Sequence, residues 1–217
     1  MFCGHYGPSF VARRIEPSIP LWVLFLAVQG LDVLWAPFVL MGVEKVRIVP
    51  RFTGSNALDL YYMPYTHSLV AAVVWSCVGA LVYQFVARPS RRRASVIVGL
   101  AVLSHWVLDL VVHVPDLAMY DNSAKVGFGL WNAPGVAFGL EAVLLLGGIA
   151  LCLRGLQSRR GTLLFGVVAL TIQAYNTFLG PPPASDRAFA LTALAAYAAF
   201  AVVIWLLEDR RPKASAA

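Results

Sequence analysis

The sequence predicts an all-α integral membrane protein, a polytopic bundle of about six transmembrane helices with a short N-terminal half-membrane helix. Three observations predict it. Of the 217 residues, 59% are hydrophobic and 13% charged, with mean hydropathy +0.73, whereas an average soluble domain is about a quarter charged. Six apolar stretches reach the roughly 20 residues needed to cross a ~30 Å hydrocarbon core. The basic residues gather in the loops on one side of those stretches, as cytoplasmic loops do.

Residues 5–15 read as a short helix, with Pro8 in its first turn where a missing N–H costs little. Glu16-Pro17-Ser18-Ile19-Pro20 then reads as a turn. Together these make a half-membrane hairpin, the alternative being a loose cytoplasmic N-terminus. The spans follow at about 20–42, 65–87, 94–114, 133–153, 162–180 and 187–207, joined by short polar loops. No hydrophilic segment is long enough for a second domain, so residues 1–217 form one helical unit. The chain lacks the charged head and apolar run of a cleavable signal, and the first span is expected to serve as the targeting signal. The Gly-Pro-Pro-Pro run at 180–183 reads as a rigid outer loop.

Arg13, Arg14, Arg88, Arg91, Arg92, Arg93, Arg154, Arg159, Arg160, Arg210, Arg211 and Lys213 fall on one side, twelve of the seventeen basic residues. Lys45, Arg47, Arg51, Lys125 and Arg187 fall on the other, which is expected to be extracytoplasmic. Both ends of the six-span bundle then lie on the cytoplasmic side. The net charge of +6 is thus a topology signal, and no nucleic-acid partner is expected, because the cations flank spans and form no separate basic module. Tyr61, Tyr62, Tyr65, Tyr120 and Trp131 near the outer ends, with Trp22 and Trp205 near the inner ends, fit interfacial belts or ordinary bundle packing. Cys3, Cys77 and Cys152 show no paired pattern, and no disulfide is expected.

Within the run from Ala94 to Val114, His105, Asp109 and His113 recur every four residues. Each such step advances about 400°, so three side chains drift only about 80° over two turns and share one face. Ionisable groups at bilayer depth cost ~2.5–3.5 kcal/mol each on insertion scales, which marks them as functional candidates. At ~1.5 Å per residue, Asp109 lies ~6 Å and His105 ~12 Å deeper than His113. Asp32 and Glu141 fall ~15 and ~12 Å deep, His67 lies a turn below the outer surface, and the hairpin carries His5 to ~15 Å. Ligand-type residues from several segments therefore share one stratum. His67, His105 and Asp109 are the first ligand candidates, His5 and Asp32 the next, and His113 and Asp116 possible additions. Cys3 is either a further ligand or an uninvolved thiol. The alternative for each histidine is a bridging hydrogen bond between helices, and for Asp116 a solvated loop position. Glu141 is a candidate general base, unless Gln173, Asn176 or a backbone group satisfies it.

His and carboxylate donors suit a divalent ion, zinc first and manganese or iron next. Such an ion activates water for hydrolysis, with Asp32 and Glu141 placed to take part.

The motifs Gly4-His5, Gly30-Leu31-Asp32, Tyr65-Thr66-His67-Ser68 and Ser104-His105-Trp106-Val107-Leu108-Asp109 resemble those of the bacterial inner-membrane metal-dependent hydrolase family of the YdjM type. The resemblance covers about residues 1–115, and the last three spans match only in character. That family is distantly similar to zinc-dependent phospholipase C and single-strand nucleases. The resemblance implies a metal-dependent hydrolase of the bacterial inner membrane. The family usually carries Pro-Asp-x-Asp where this chain has one Asp, and a further His where this chain has Tyr62, departures that favour one ion over several. A site in the outer leaflet suits a membrane lipid or lipid-linked substrate, with a phosphoester or ester cleaved. The alternatives are a metal-ion or small-solute transporter, which would need paired broken helices, and a non-catalytic membrane subunit.

Overall fold

The computed structural model describes residues 1–87 and 92–209. Arg88, Arg91, Arg210, Arg211 and Lys213, which enter the charge argument, lie outside the described residues. The chain is an all-α bundle: α1 (Tyr6–Ile15), α2 (Leu21–Val28), α3 (Gly30–Leu40), α4 (Leu69–Val86), α5 (Arg92–Val112), α6 (Pro134–Cys152), α7 (Arg159–Phe178) and α8 (Asp186–Glu208). Among the described residues, five helices are long and apolar enough to cross a membrane alone. The apolar pair α2 and α3, bent by 54°, makes a sixth if it is counted as one span. The molecule is thus a multi-pass membrane protein.

The N-terminal segment is a re-entrant hairpin. A short 3₁₀ turn, Cys3–His5, leads into α1, which packs on α6 and α2. Tyr6 and Phe10 are fully buried, so this helix is held by the core and the loose N-terminus is excluded. The turn after α1 is pinned at the basic end of the bundle. Arg13 donates to the Ile19 carbonyl and lies 3.5 Å from Asp209, and Arg93 lies 3.6 Å from Glu16.

Local chemistry sets the helix ends. Ser68 caps α4 by accepting from the Ala71 N–H at 3.1 Å, and Ser185 caps α8 by accepting from Ala188 at 3.1 Å. Pro134 opens α6, where its missing donor costs nothing. The Glu208 carboxylate, at the end of α8, accepts from Gln157 N–H (2.6 Å), Ser158 N–H (3.0 Å) and the Thr162 hydroxyl (2.7 Å). A buried anion thus sits on the N-terminus of α7, where the peptide dipoles favour it.

Two expectations change. The loop between the first two spans is not merely polar: β1 (Lys45–Ile48) pairs antiparallel with β2 (Leu58–Tyr62), Arg47 opposite Asp59. This hairpin lies at the end of the bundle opposite the pinned turn. The second span begins at Leu69, four residues later than the hydropathy suggests, because the Ser68 cap cannot act until the chain has cleared Pro64. His67 therefore lies in the turn before α4 and not a turn inside it.

The basic-end half of the core is aromatic. Tyr6, Phe10, Phe25, Phe165 and Phe200 are linked with ring centroids 4.5–5.6 Å apart. Such edge-on and tilted pairs fill space densely.

Candidate metal centre

Four segments supply the centre, and each is placed by its own sequence. The first is the break in the bent span. At Gln29 the backbone leaves helical geometry (φ −101°, ψ 9°), which frees the Val28 carbonyl for the His105 Nδ1 at 2.7 Å. It also starts a new helix at Gly30, so Asp32 sits in the first turn of α3, where a carboxylate is favoured. The second is α5, whose four-residue steps bring His105 and His113 to the same oxygen of Asp109. Third comes the turn before α4: Trp106 donates to the His67 carbonyl (2.9 Å) and Trp75 to the Tyr65 carbonyl (2.8 Å). Last is the re-entrant hairpin, whose Phe2 and Gly4 N–H groups donate to Glu141 at 3.0 and 3.1 Å. Gln29 adds a bond to the Phe2 carbonyl at 3.2 Å.

Asp109 is the hub. Its Oδ2 lies 3.1 Å from His105 Nε2, 3.6 Å from His113 Nε2 and 3.9 Å from His67 Nε2. Its Oδ1 lies 3.1 Å from His5 Nε2 and 2.9 Å from the Met1 amino nitrogen. The Asp32 Oδ1 is 3.3 Å from His67 Nε2 and 3.6 Å from His105 Nε2, while its Oδ2 accepts from the Tyr197 hydroxyl at 2.7 Å. Donor atoms about 2.0–2.2 Å from one tetrahedral ion stand roughly 3.3–3.6 Å from each other. The observed spacings straddle that range. Two groups close within 4.8 Å, His5 with His105 and Asp109, and Asp32 with His67 and His105. His105 belongs to both, and its ring stacks on that of His5 with centroids 3.8 Å apart.

The rings are oriented from behind. A carbonyl can only accept, so His105 donates from Nδ1 to Val28 and leaves the Nε2 lone pair bare. The Thr66 hydroxyl donates to Glu44 (2.6 Å), so it accepts from His67 Nδ1 at 2.7 Å. His113 Nδ1 meets the Asp116 carboxylate at 2.8 Å. Three imidazoles thus present bare Nε2 atoms to two carboxylates, the arrangement that second-shell partners impose on metal-binding histidines. His105 Nε2 is buried and has no hydrogen-bond partner, an orphan that a cation would satisfy. The residues therefore fit a divalent ion. His5 differs: the Asp109 carboxylate can only accept, so His5 donates to it from Nε2 at 3.1 Å, and its buried Nδ1 is the atom without a partner.

Glu44 lies outside the spans, and burial pushes its carboxyl above the ordinary range despite bonds from Thr66 and the Tyr65 N–H. It completes a Glu44–Thr66–His67 relay. Thr66→Val keeps the shape and removes the hydroxyl, and is expected to weaken metal affinity about 10–100-fold with little change in fold, as outer partners of ligating histidines do. Metal titration by calorimetry checks it.

Asp116 does not join the cluster. Pro115 turns the chain so that the Asp116 N–H reaches the Val114 carbonyl, and its carboxylate backs His113 from the far side. Glu141 has both oxygens engaged, Oε2 by the hairpin N–H groups and Oε1 by Gln173 at 3.0 Å. It anchors the re-entrant segment and is not free to act as a base. The Cys3 thiol donates to the Ala169 carbonyl at 3.2 Å, away from the donors. Trp131 is buried against His113, with centroids 4.1 Å apart, and is no belt residue. Glu44, Thr66, Gln29 and Tyr197 are the contributors that sequence reasoning missed as site residues. Thr66 alone was signalled, by its place in Thr-His-Ser.

Asp32, His67, Asp109 and His113 form the floor of a cavity of about 1000 Å³. Its walls come from Trp35, Trp131 and Tyr197, and the Pro181–Pro183 loop and the 50–58 segment border its mouth.

The fold and the cluster define a multi-pass helical membrane protein with a buried His/Asp centre under an open cavity. Comparison with known family models, with curated proteins and with solved structures finds no match to this chain.

Proposed function

We propose that this chain is a membrane-embedded metal-dependent hydrolase, acting on a phosphoester or ester of a lipid or lipid-linked substrate. The observation that carries the reading is the set of three imidazoles with bare Nε2 atoms directed at Asp109 and Asp32 beneath a cavity. His67, His105 and Asp109 are the principal ligands, with His5, Asp32 and His113 completing the set. Zinc is the first candidate, with manganese or iron next. When bound by these residues, a divalent ion would polarise the substrate oxygen and lower the pKa of water toward ~7. Asp32, partly exposed to the cavity, keeps Oδ2 on the Tyr197 hydroxyl and would offer Oδ1 to the ion. Tyr197 positions Asp32, and Trp35 and Trp131 limit water on the apolar walls.

The motif resemblance to the YdjM-type family supports the same reading. So does the stratum of the site, which suits a headgroup at the lipid surface. The charge asymmetry supports an inner-membrane placement with both ends of the bundle cytoplasmic and the cavity opening on the extracytoplasmic half. A cysteine at Asp121, an exposed site-end position, is expected to react with an impermeant maleimide from outside in a Cys77→Ala background. Labelling only after permeabilisation would reverse the orientation.

A carrier is the second reading, and the broken α2–α3 span favours it. The aromatic block of Phe10, Phe25, Phe165 and Phe200 below the site weighs against it, because it sets apolar rings between the site and the basic end. Hydrolysis assays on lipid phosphoesters, with wild type beside His105→Ala and Asp109→Ala, decide between them. Cleavage by wild type alone supports the hydrolase. No cleavage, with the ion crossing liposomes, replaces it with the carrier.

A further inference from the structure

We infer that the cavity binds one anionic phospholipid, its phosphate held by Arg51 and an acyl chain lying in the cleft between α7 and α8. This rests on the reading of a lipid substrate and adds the charge class and the seat of the tail.

The charge comes from Arg51. Among the described residues it is the one Lys or Arg on the cavity wall, and no described carboxylate lies within ion-pair distance of it. Three of its neighbours at this end are committed, Arg47 to Asp59 at 2.6 Å, Lys125 to the Tyr61 carbonyl at 2.7 Å and Lys45 over the Tyr62 ring, and the exposed Arg187 does not line the cavity. Arg51 also holds a left-handed backbone (φ 60°), which a side-chain-bearing residue adopts at a cost. An unpaired guanidinium at the mouth of a cavity floored by a cation-binding cluster is complementary to an anion that reaches both. A planar fork of donors matches a phosphate better than any other lipid group.

The tail follows from helix packing. α7 packs on α6, and α8 packs on α2 and α3, so the two helices touch each other sparsely. The cavity extends between their site-end halves, where Ile172 and Asn176 of α7 face Ala188, Thr192 and Ala196 of α8. Ala188 and Ala196 are small, and Asn176 and Thr192 are exposed on the outside of the bundle, the side on which lipid chains would lie. Pro181–Pro183 borders its top, and a chain seated there would leave sideways, into the bilayer.

The test uses the full chain in nanodiscs of mixed phosphatidylglycerol and phosphatidylcholine, released for native mass spectrometry without any turnover. Wild type is expected to retain one phosphatidylglycerol per chain in preference to phosphatidylcholine. Arg51→Gly removes the charge while relaxing the backbone, so it loses the preference by about tenfold or more without a folding penalty, and Arg51→Lys restores part of it. Thr192→Trp fills the cleft and is expected to release both lipids while bound metal stays unchanged. Excess inorganic phosphate or glycerol phosphate is expected not to displace the lipid. Equal retention of the two lipids, no retained lipid, an unaltered Arg51→Gly profile, or displacement by phosphate alone would each overturn the inference. Binding is read without catalysis, so failure to find hydrolysis leaves it standing, and failure to find lipid overturns it even in a protein that carries metal.

Discussion

Asp109→Asn is expected to reduce metal retention by more than about 100-fold while leaving the bundle helical. The change keeps the volume and removes the charge toward which His5, His67, His105 and His113 direct their Nε2 atoms, at 3.1–3.9 Å. Loss of an outer partner alone costs 10–100-fold in comparable sites, and this is the hub itself. The substitution also takes from the buried Met1 amino group its partner at 2.9 Å, and breaking a buried ion pair costs about 3–5 kcal/mol. Thermal unfolding separates the two effects. Wild type gains about 2.7 kcal/mol at a metal concentration of 100 Kd, and Asp109→Asn gains almost nothing at that concentration. A variant with wild-type metal stabilisation would remove Asp109 from the centre.

Gly148→Val is the second large effect, and it acts from a distance. Gly148 of α6 touches Gly7 of α1 backbone to backbone, and a Cβ there would lie 2.5 Å from the Gly7 carbonyl oxygen and 2.9 Å from its Cα. Neither helix can yield without moving the re-entrant hairpin, which Glu141 and Gln29 hold in place. Overpacking of this kind costs about 1–3 kcal/mol, and it shifts His5 off Asp109. Metal affinity and stability are therefore expected to fall together. Gly147→Val is the control, since a Cβ on Gly147 meets nothing within 4 Å. It is expected to change stability by less than about 0.5 kcal/mol. Equal effects at both positions would mean that the hairpin does not depend on this close approach.

The two variants separate what the sequence carries from what it hides. Spans are legible because hydropathy is a local property, and the face shared by His105, Asp109 and His113 is legible because helical period is local too. The re-entrant hairpin was readable from Pro8 and the Glu16–Pro20 turn. Hydropathy misplaces the start of α4 because apolar composition extends past the true boundary, which Ser68 and Pro64 set by hydrogen bonding. The strand pair was overlooked although its alternation is present, for Lys45-Val46-Arg47-Ile48 is exposed and buried in turn. The Gln29 break has no strong local mark, and its role as the source of the Val28 carbonyl for His105 emerges only from packing. Glu44 and Tyr197 reach the centre through contacts 22 and 165 residues apart in sequence, which no local pattern encodes. Asp116 and Glu141 show the reverse. Their types and depths fit the chemistry, yet Asp116 turns Oδ1 to His113 and leaves its buried Oδ2 unpartnered, while Glu141 gives Oε2 to the hairpin backbone and Oε1 to Gln173.

X-ray absorption at the metal edge, on wild-type protein purified without chelator, tests the central claim most directly. The account predicts about one divalent ion per chain, with only nitrogen and oxygen neighbours at about 2.0–2.2 Å and the outer-ring scattering of several imidazoles. A chain without stoichiometric metal, or a neighbour at about 2.3 Å marking sulfur from Cys3, would contradict it.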